Sequence, residues 1–155
     1  MSEHKNKINF KLATPERVVF KSEEVDQITL PTMEGEITVL PNHVPLIAVL
    51  KPGEVFIKGG KEEIALAVSG GFIEVLADKV VVLADTAERA EELDLERAEQ
   101  ARKRAQDALK EKRVDAKEFA ALSSQIEKEL ARLRVAKKYS YKLDRKGIGQ
   151  KKYSE

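Results

Sequence analysis

No cysteine occurs among the 155 residues, which excludes a disulfide framework and a thiolate metal site and suits a reducing cytoplasm. Histidine is almost as scarce. His4 and His43 stand far apart with no ligand-like spacing, so no metal site is expected. No apolar run comes near the roughly 18 residues of a membrane span. The start, Met1 to Lys7, mixes charges and leads into alternation, not into the apolar block of a signal peptide. Membrane association is therefore expected only through a partner. A phosphate-binding loop is missing too, because Gly59-Gly60-Lys61 is followed by Glu62 and no G-x-x-x-x-G-K-[ST] exists, so the glycine pairs read as turns. No serine or threonine has a base placed by a recognisable motif, and no thiol is available as a nucleophile. No catalytic constellation is found, and a non-catalytic chain is expected.

What is present falls into two grammars. Up to about residue 87, apolar residues alternate with polar ones in short runs broken by Gly and Pro. Ile8, Phe10 and Leu12 alternate with Lys7, Asn9 and Lys11 before Thr14-Pro15-Glu16, which predicts a half-buried strand ending in a turn. Val18 to Phe20, Ile28 to Leu30 (with Pro31 as the break), Glu36 to Leu40, Leu46 to Leu50, Val55 to Ile57, Ile64 to Val68, Phe72 to Leu76 and Val80 to Leu83 repeat the pattern. Eight to ten short strands without crossover helices predict an all-β N-terminal sandwich over 1–87.

From Asp94 the period changes to three or four. Asp94 is a good N-cap, since its carboxylate can accept from first-turn amides. Helix one should run to about Lys112 with Leu95, Ala98, Ala101, Ala105, Ala108 and Leu109 on one face. Asp115 and Glu118 form a D-x-x-E capping box for helix two, whose stripe is Phe119, Leu122, Ile126, Leu130, Leu133 and Ala136. A C-terminal antiparallel α-helical hairpin over 88–138 follows, turning at Arg113-Val114-Asp115. Its alanine seam buries little apolar area and should stabilise closure by only about a few kcal/mol before entropy is charged against it. Opened end to end, about 44 helical residues would reach ~65 Å, and the folded hairpin should be under half that length. From Tyr139 the apolar pattern lapses, so 139–155 reads as a mobile basic tail.

Charge is uneven. Residues 1–87 hold nine Lys/Arg against thirteen Asp/Glu, residues 88–138 fourteen against twelve, and the tail five against two. An acidic body with a basic arm suggests that the arm seeks an acidic surface, either protein or nucleic acid. Around helix one lie Glu88, Asp94, Arg97 and Arg104, and on helix two Lys128 and Arg132. Arg97 and Arg104 are seven apart, hence on one face, and the latter part of helix two should lie beside the start of helix one. A polyphosphate could bridge the helices. Intrahelical ion pairs such as Glu99 with Lys103 are the competing account of the same charges.

Several motifs together resemble a known family. They are Thr14-Pro15-Glu16-Arg17, Gly35-Glu36-Ile37-Thr38-Val39-Leu40-Pro41-Asn42-His43, Pro52-Gly53, Ser69-Gly70-Gly71-Phe72-Ile73-Glu74-Val75 and Val82-Leu83-Ala84-Asp85-Thr86-Ala87-Glu88. Over residues 7 to about 138 the chain resembles the ε subunits of bacterial rotary F-type ATP synthases, with Thr38 where the family often has glycine. The resemblance implies a β-sandwich docked on the γ subunit and the c-subunit ring, with no active site of its own. It also implies a helical hairpin that can extend into the α and β subunits of F1 and block ATP hydrolysis. Such a subunit turns with the rotor, helps couple H⁺ or Na⁺ flow to ATP synthesis, and sits at the cytoplasmic face of the cell membrane as a peripheral part of the complex.

Some members bind a regulatory ATP through I/L-D-x-x-R-A, which Leu93-Asp94-Leu95-Glu96-Arg97-Ala98 matches. Glu88, Asp94, Arg97, Ala98, Arg104, Lys128 and Arg132 fall on similar nucleotide-holding positions, with Lys128 standing where such binders have arginine. Lysine there keeps the charge and loses the bidentate fork. No cofactor is otherwise required. Glu36 lies in a loop similar to the one that meets the c ring, and His43 in a segment resembling the γ-facing side. The competing readings are a free nucleic-acid-binding module with a basic hairpin, which predicts salt-sensitive affinity, and a small enzyme, which predicts turnover by the isolated chain. The motif series favours the rotor subunit, for which no nucleic-acid partner is expected.

Overall fold

A computed structural model of the chain describes residues 6–111 and 115–145. Eight strands form the first domain: β1 (Ile8–Ala13), β2 (Val18–Val25), β3 (Gln27–Thr32), β4 (Gly35–Val39), β5 (Leu46–Leu50), β6 (Gly53–Gly59), β7 (Glu62–Val75) and β8 (Lys79–Arg89). They hydrogen-bond in the order β2-β1-β8-β7-β5-β3-β4, with β6 pairing both β3 and β7. β1 and β8 run parallel.

The sandwich is built by strands that serve both layers. The first half of β7 pairs with β6 and its second half with β5, while β8 follows it along both halves. Gly70 and Gly71, both at positive φ, take the strand through this change of direction. At Gly71 (φ +133) a Cβ would stand 2.0 Å from the Leu83 carbonyl oxygen, so only glycine fits. The two runs Ile64 to Val68 and Phe72 to Leu76, read separately from the sequence, are therefore one strand. Pro31 likewise does not end its strand, since β3 continues through it to Thr32. It sits next to the strand end, where one missing donor is tolerated.

Alternation fills the interior. Phe10 and Leu12 of β1, Ile28 and Leu30 of β3, Val55 and Ile57 of β6, Ile73 and Val75 of β7, and Val80 and Val82 of β8 are all buried. Each fully buried side chain of this size contributes about 1.5–3 kcal/mol. Thr38, the departure from the resembled pattern, faces outward and shares a 3.1 Å hydroxyl contact with Thr29 across the β3–β4 pair, leaving the strand regular.

A single 3₁₀ turn, Ala90–Glu92, leads to α1 (Leu95–Glu111) and α2 (Ala116–Arg145). The caps form where the sequence puts them. The Arg97 amide donates to Asp94 Oδ1 at 3.2 Å and the Glu118 amide to Asp115 Oδ1 at 2.8 Å. The two helices pack against each other as an antiparallel pair, and α2 also lies on the outer face of β6 and β7. Small outward residues, Ala65 and Ala67, make that seat, and Ala131 and Val135 of α2 are wholly buried on it.

Three expectations change here. Phe119 and Leu130, assigned to the seam, are 56% and 37% exposed, because α2 has two partners and its buried arc keeps Leu133 and Ala136 of the expected stripe but takes in Ala131 and Val135 instead. Helix two runs past Lys138 to Arg145, so residues 139–145 of the expected tail are helix. The remainder, 146–155, lies outside the described residues, as do Arg113 and Val114 of the expected turn. With 30 residues α2 alone spans about 45 Å. The closed hairpin is therefore well over half, not under half, of the extended length.

Candidate functional site

The junction between the two domains is tied to the sandwich up to Glu92. Arg89 ends β8 and its guanidinium donates to the Val19 carbonyl at 2.7 and 3.2 Å. Arg17, from the β1–β2 turn, donates to both Glu92 carboxylate oxygens at 2.9 and 3.0 Å. Burial works to raise the Glu92 pKa, but the hydrogen bonds from the Arg17 guanidinium and the Arg89 amide overcome it and hold the carboxyl below its ordinary value. Leu93 is extended (φ −90, ψ 132), and α1 starts two residues later. Leu93-Asp94 is thus the link between the anchored turn and the helical hairpin.

Around this link lies a cavity of about 330 Å³ lined by Glu88, Glu92, Leu93, Asp94, Arg97, Ala98, Ala101, Arg104 and Arg132. It is at the small end of the size range of small-molecule sites. Six of the seven residues singled out for a nucleotide meet here: Glu88 from β8, Asp94 before α1, Arg97, Ala98 and Arg104 from its first ten residues, and Arg132 from α2. Lys128 does not. One turn before Arg132, it lines a cavity of about 400 Å³ with Pro52, Ser69, Gly70, Asp85 and Glu129, and shares a small cleft over Ala67 and Thr86 with Glu88 and Arg132.

The charges around the cavity are unequally committed. Arg132 is fully engaged: its guanidinium chelates Glu88, with Nε to Oε2 at 2.6 Å and Nη2 to Oε1, and also donates to both Glu129 oxygens at 3.1 and 3.2 Å. The hydrogen bond with Glu88 keeps the guanidinium pKa above its ordinary value. Glu92 is taken by Arg17, and Asp94 caps its helix. Among the described residues Arg97 makes no ion pair, and the Arg104 guanidinium reaches only the Gln100 carbonyl of its own helix at 3.4 Å. The three acids and three arginines of the lining balance, but Glu88, Glu92 and Asp94 are already engaged, and Arg97 and Arg104 are the two guanidiniums of the lining without an ion pair among the described residues, the groups a polyanion would meet.

The sandwich carries a different feature. On the outer face of the β5–β7–β8 sheet, Val49, Phe72 and Leu83 sit side by side in register, and with Ile47 they remain 49–75% exposed. Met33 is held beside them by its amide donating to the Val49 carbonyl at 3.0 Å. Contiguous exposed apolar residues of this size mark a contact surface. His43 stands at its end in the 41–45 loop, its Nδ1 2.7 Å from the Val44 carbonyl oxygen, and Asn42 turns that loop at φ 63. Glu36 is exposed on β4, across from Pro31. Neither Glu36 nor His43 lies near the cavity residues in sequence or in strand pairing. No group of three or more His, Cys, Asp or Glu suited to a metal ion occurs among the described residues, and no helix among them is long and apolar enough to cross a membrane.

Sequence reasoning missed Arg17 and Glu92 as the anchor of the junction, and Glu129 as a buried carboxylate. It also missed Glu54, Phe56 and Glu63, which meet Lys138 and Lys142 of α2. The one available signal was a phenylalanine on the outward side of β6, between Glu54 and Lys58, where a solvent-facing strand needs no aromatic ring.

Residues 7–90 match the family described as ATP synthase, Delta/Epsilon chain, beta-sandwich domain, and residues 91–137 match its long alpha-helix domain. The ATP synthase epsilon chain of Dehalococcoides mccartyi is 48% identical over 132 residues, 85% of this chain and 94% of that one. That of Herpetosiphon aurantiacus is 46% identical over 131 residues, 84% and 94% of the two chains. Among solved structures, a chain of the Euglena gracilis mitochondrial ATP synthase OSCP/F1/c-ring assembly superposes with a TM-score of 0.72 at 27% identity, covering 84% of this chain and 81% of that one. A chain of the Tetrahymena thermophila central stalk/c-ring structure superposes at 0.60 and 18% identity, covering 87% and 97%, a likeness of fold.

Proposed function

The chain belongs to the ATP synthase delta/epsilon family as an epsilon chain, a non-catalytic subunit of that enzyme, and from this premise we propose that it is a rotor subunit whose helical hairpin regulates ATP hydrolysis. The sandwich is the docking body. Its apolar face of Ile47, Val49, Phe72 and Leu83, with His43 at the border, serves the γ subunit, and the β3–β4 turn with Glu36 serves the c-subunit ring. Through these contacts the chain helps couple H⁺ or Na⁺ flow to ATP synthesis, peripheral to the cell membrane on its cytoplasmic side. The hairpin pivots at Leu93-Asp94. Closed, it lies on β6 and β7, and extended it reaches the α and β subunits of F1 and blocks hydrolysis.

The observation that carries the regulatory reading is the cavity in which β8, the start of α1 and the middle of α2 meet, with Arg97 and Arg104 turned toward it. A bound ATP would touch all three elements only while the hairpin is shut, so occupancy adds to the closed state alone. At 100 times Kd this linkage is worth about 2.7 kcal/mol, comparable with the weak alanine seam. The residues for it are Glu88, Asp94, Arg97, Ala98, Arg104 and Arg132, with Lys128 at the edge beside Glu88 and Arg132. The nucleic-acid alternative has less support, because the arm's Arg132, Lys138 and Lys142 are already spent on Glu88, Glu54 and Glu63.

Titration calorimetry of the full chain with ATP tests the site. Heat with the native sequence and none with Arg97→Ala or Arg104→Ala is expected, and no heat with the native chain removes the nucleotide part of the proposal. Deleting residues 93–155, which spares β8 and the anchored turn, should leave assembly intact and raise hydrolysis by the complex.

A further inference from the structure

Lys138 and Lys142 lie beyond the family-matched residues, one helical turn apart on α2 and hence on one face of it. Both ammonium groups stand over the same ring, that of Phe56 on the outer side of β6, at 5.7 and 5.8 Å from its centroid. Lys58, from the strand itself, makes a third at 5.7 Å. Three ammonium groups around one ring repel each other, and what allows them to gather is the acids beside it. Lys138 Nζ is 2.6 Å from Glu54 Oε1, and Lys142 Nζ is 3.2 Å from Glu63 Oε2, with Lys58 on the other oxygen of Glu63 at 3.9 Å. The Glu54 side chain is 14% exposed, so its carboxylate is substantially sheltered from screening. Tyr139 and Tyr141 continue the contact as walls of an adjoining cavity of about 690 Å³ that Phe56 also lines.

We propose that these residues form a clasp, in which the end of α2 grips the ring of Phe56 and the carboxylates of Glu54 and Glu63 and thereby locks the hairpin onto the sandwich without a nucleotide. The inference builds on the regulatory reading above, since it concerns the same closed state, but it names a different set of residues on the far side of α2's seat from the pivot. Every one of its contacts to α2 exists only in the closed arrangement, so all are lost together on opening. Cation–aromatic contacts and exposed ion pairs are individually weak, and ion pairs weaken further with salt. Together they act near the C-terminal end of α2, where fraying would otherwise begin. The clasp therefore makes closure salt-dependent, which an alanine seam alone would not.

Hydrogen exchange on the full chain tests this. Amides over residues 130–142 should exchange about tenfold faster in Lys138→Ala/Lys142→Ala, and about threefold faster in Phe56→Leu, which keeps apolar cover but removes the ring. Raising salt should speed exchange in the native chain and hardly affect the double variant. Lys138→Glu should open the end of α2, and adding Glu54→Lys should restore protection, a recovery that a merely misfolded variant cannot show. Unchanged protection in the double variant, or no recovery by the reversed pair, overturns the clasp. Hydrolysis by the assembled enzyme separates the two ideas. Faster exchange without altered hydrolysis leaves the clasp standing and defeats the regulatory reading, whereas unchanged exchange defeats the clasp whatever the hydrolysis rate.

Discussion

Replacing Arg132 by alanine should loosen the hairpin more than any other single change at its base, and the reason is Glu129. That residue is 4% exposed, and its carboxylate accepts both of its side-chain hydrogen bonds from the Arg132 guanidinium. The same guanidinium holds Glu88 on β8, each of those two side chains being little more than a quarter exposed. Removing one partner of a fully buried pair costs about 3–5 kcal/mol, and an exposed pair only about 0.2–1 kcal/mol. The geometry lies between, nearer the buried limit for Glu129 than for Glu88, so Arg132→Ala should cost about 2–3 kcal/mol. Glu129→Gln removes the charge that would be stranded, and in its presence Arg132→Ala should cost only about 1 kcal/mol, a coupling of about 1–2 kcal/mol. The helical signal in far-ultraviolet circular dichroism reports this directly, since α1 and α2 hold nearly all the described helix. Urea titration of the four chains completes the cycle. Additive effects, or a cost below about 0.5 kcal/mol for Arg132→Ala, would refute the idea that a shared guanidinium joins arm to body.

Other outcomes follow from the same geometry. Gly71→Ala should destabilise the sandwich by more than about 3 kcal/mol in urea unfolding, because its Cβ would collide with the Leu83 carbonyl in a backbone region closed to alanine. Lys128→Ala should change ATP affinity far less than Arg97→Ala in calorimetry, since Lys128 faces the cavity beside Asp85. The Arg17–Glu92 tie should be pH-dependent in one direction. Because the folded carboxyl titrates below the ordinary 4.5, its contribution is complete above that value and is lost as pH falls through the lower folded value. Arg17→Gln should flatten this acid limb of a pH-stability profile, and an unchanged limb would show that the tie carries no part of it.

The fold was largely legible because alternation and helical period are local signals. Ile8-Phe10-Leu12 and the D-x-x-E box announce their elements, and helix spacing brings Arg97, Arg104 and Arg132 to one end of the hairpin, while their reading as nucleotide-holding residues rests on the family resemblance. The remainder failed where tertiary contact set the answer. A glycine pair looks the same whether it ends a strand or bends it, so β7 was read as two. A single stripe describes a helix with one partner, and α2 has two, which exposed Phe119 and Leu130 and buried Val135. The stretch from Tyr139 to Lys142 looked unstructured because it packs by cations and aromatic rings, which carry no apolar period. Lys128 shares a small cleft with Glu88 and Arg132 yet also faces the cavity beside Asp85, a division that the i, i+4 spacing does not reveal.

The most direct test uses the absence of native cysteine. Labels introduced at Lys21→Cys on the sandwich and Lys117→Cys at the start of α2, both exposed, would give the distance between body and arm by pulsed electron resonance in the assembled ATP synthase. One distance, that of the closed hairpin, should dominate at saturating ATP, and a second, different one should appear as ATP is withdrawn. A single distance at every ATP concentration would contradict the switch.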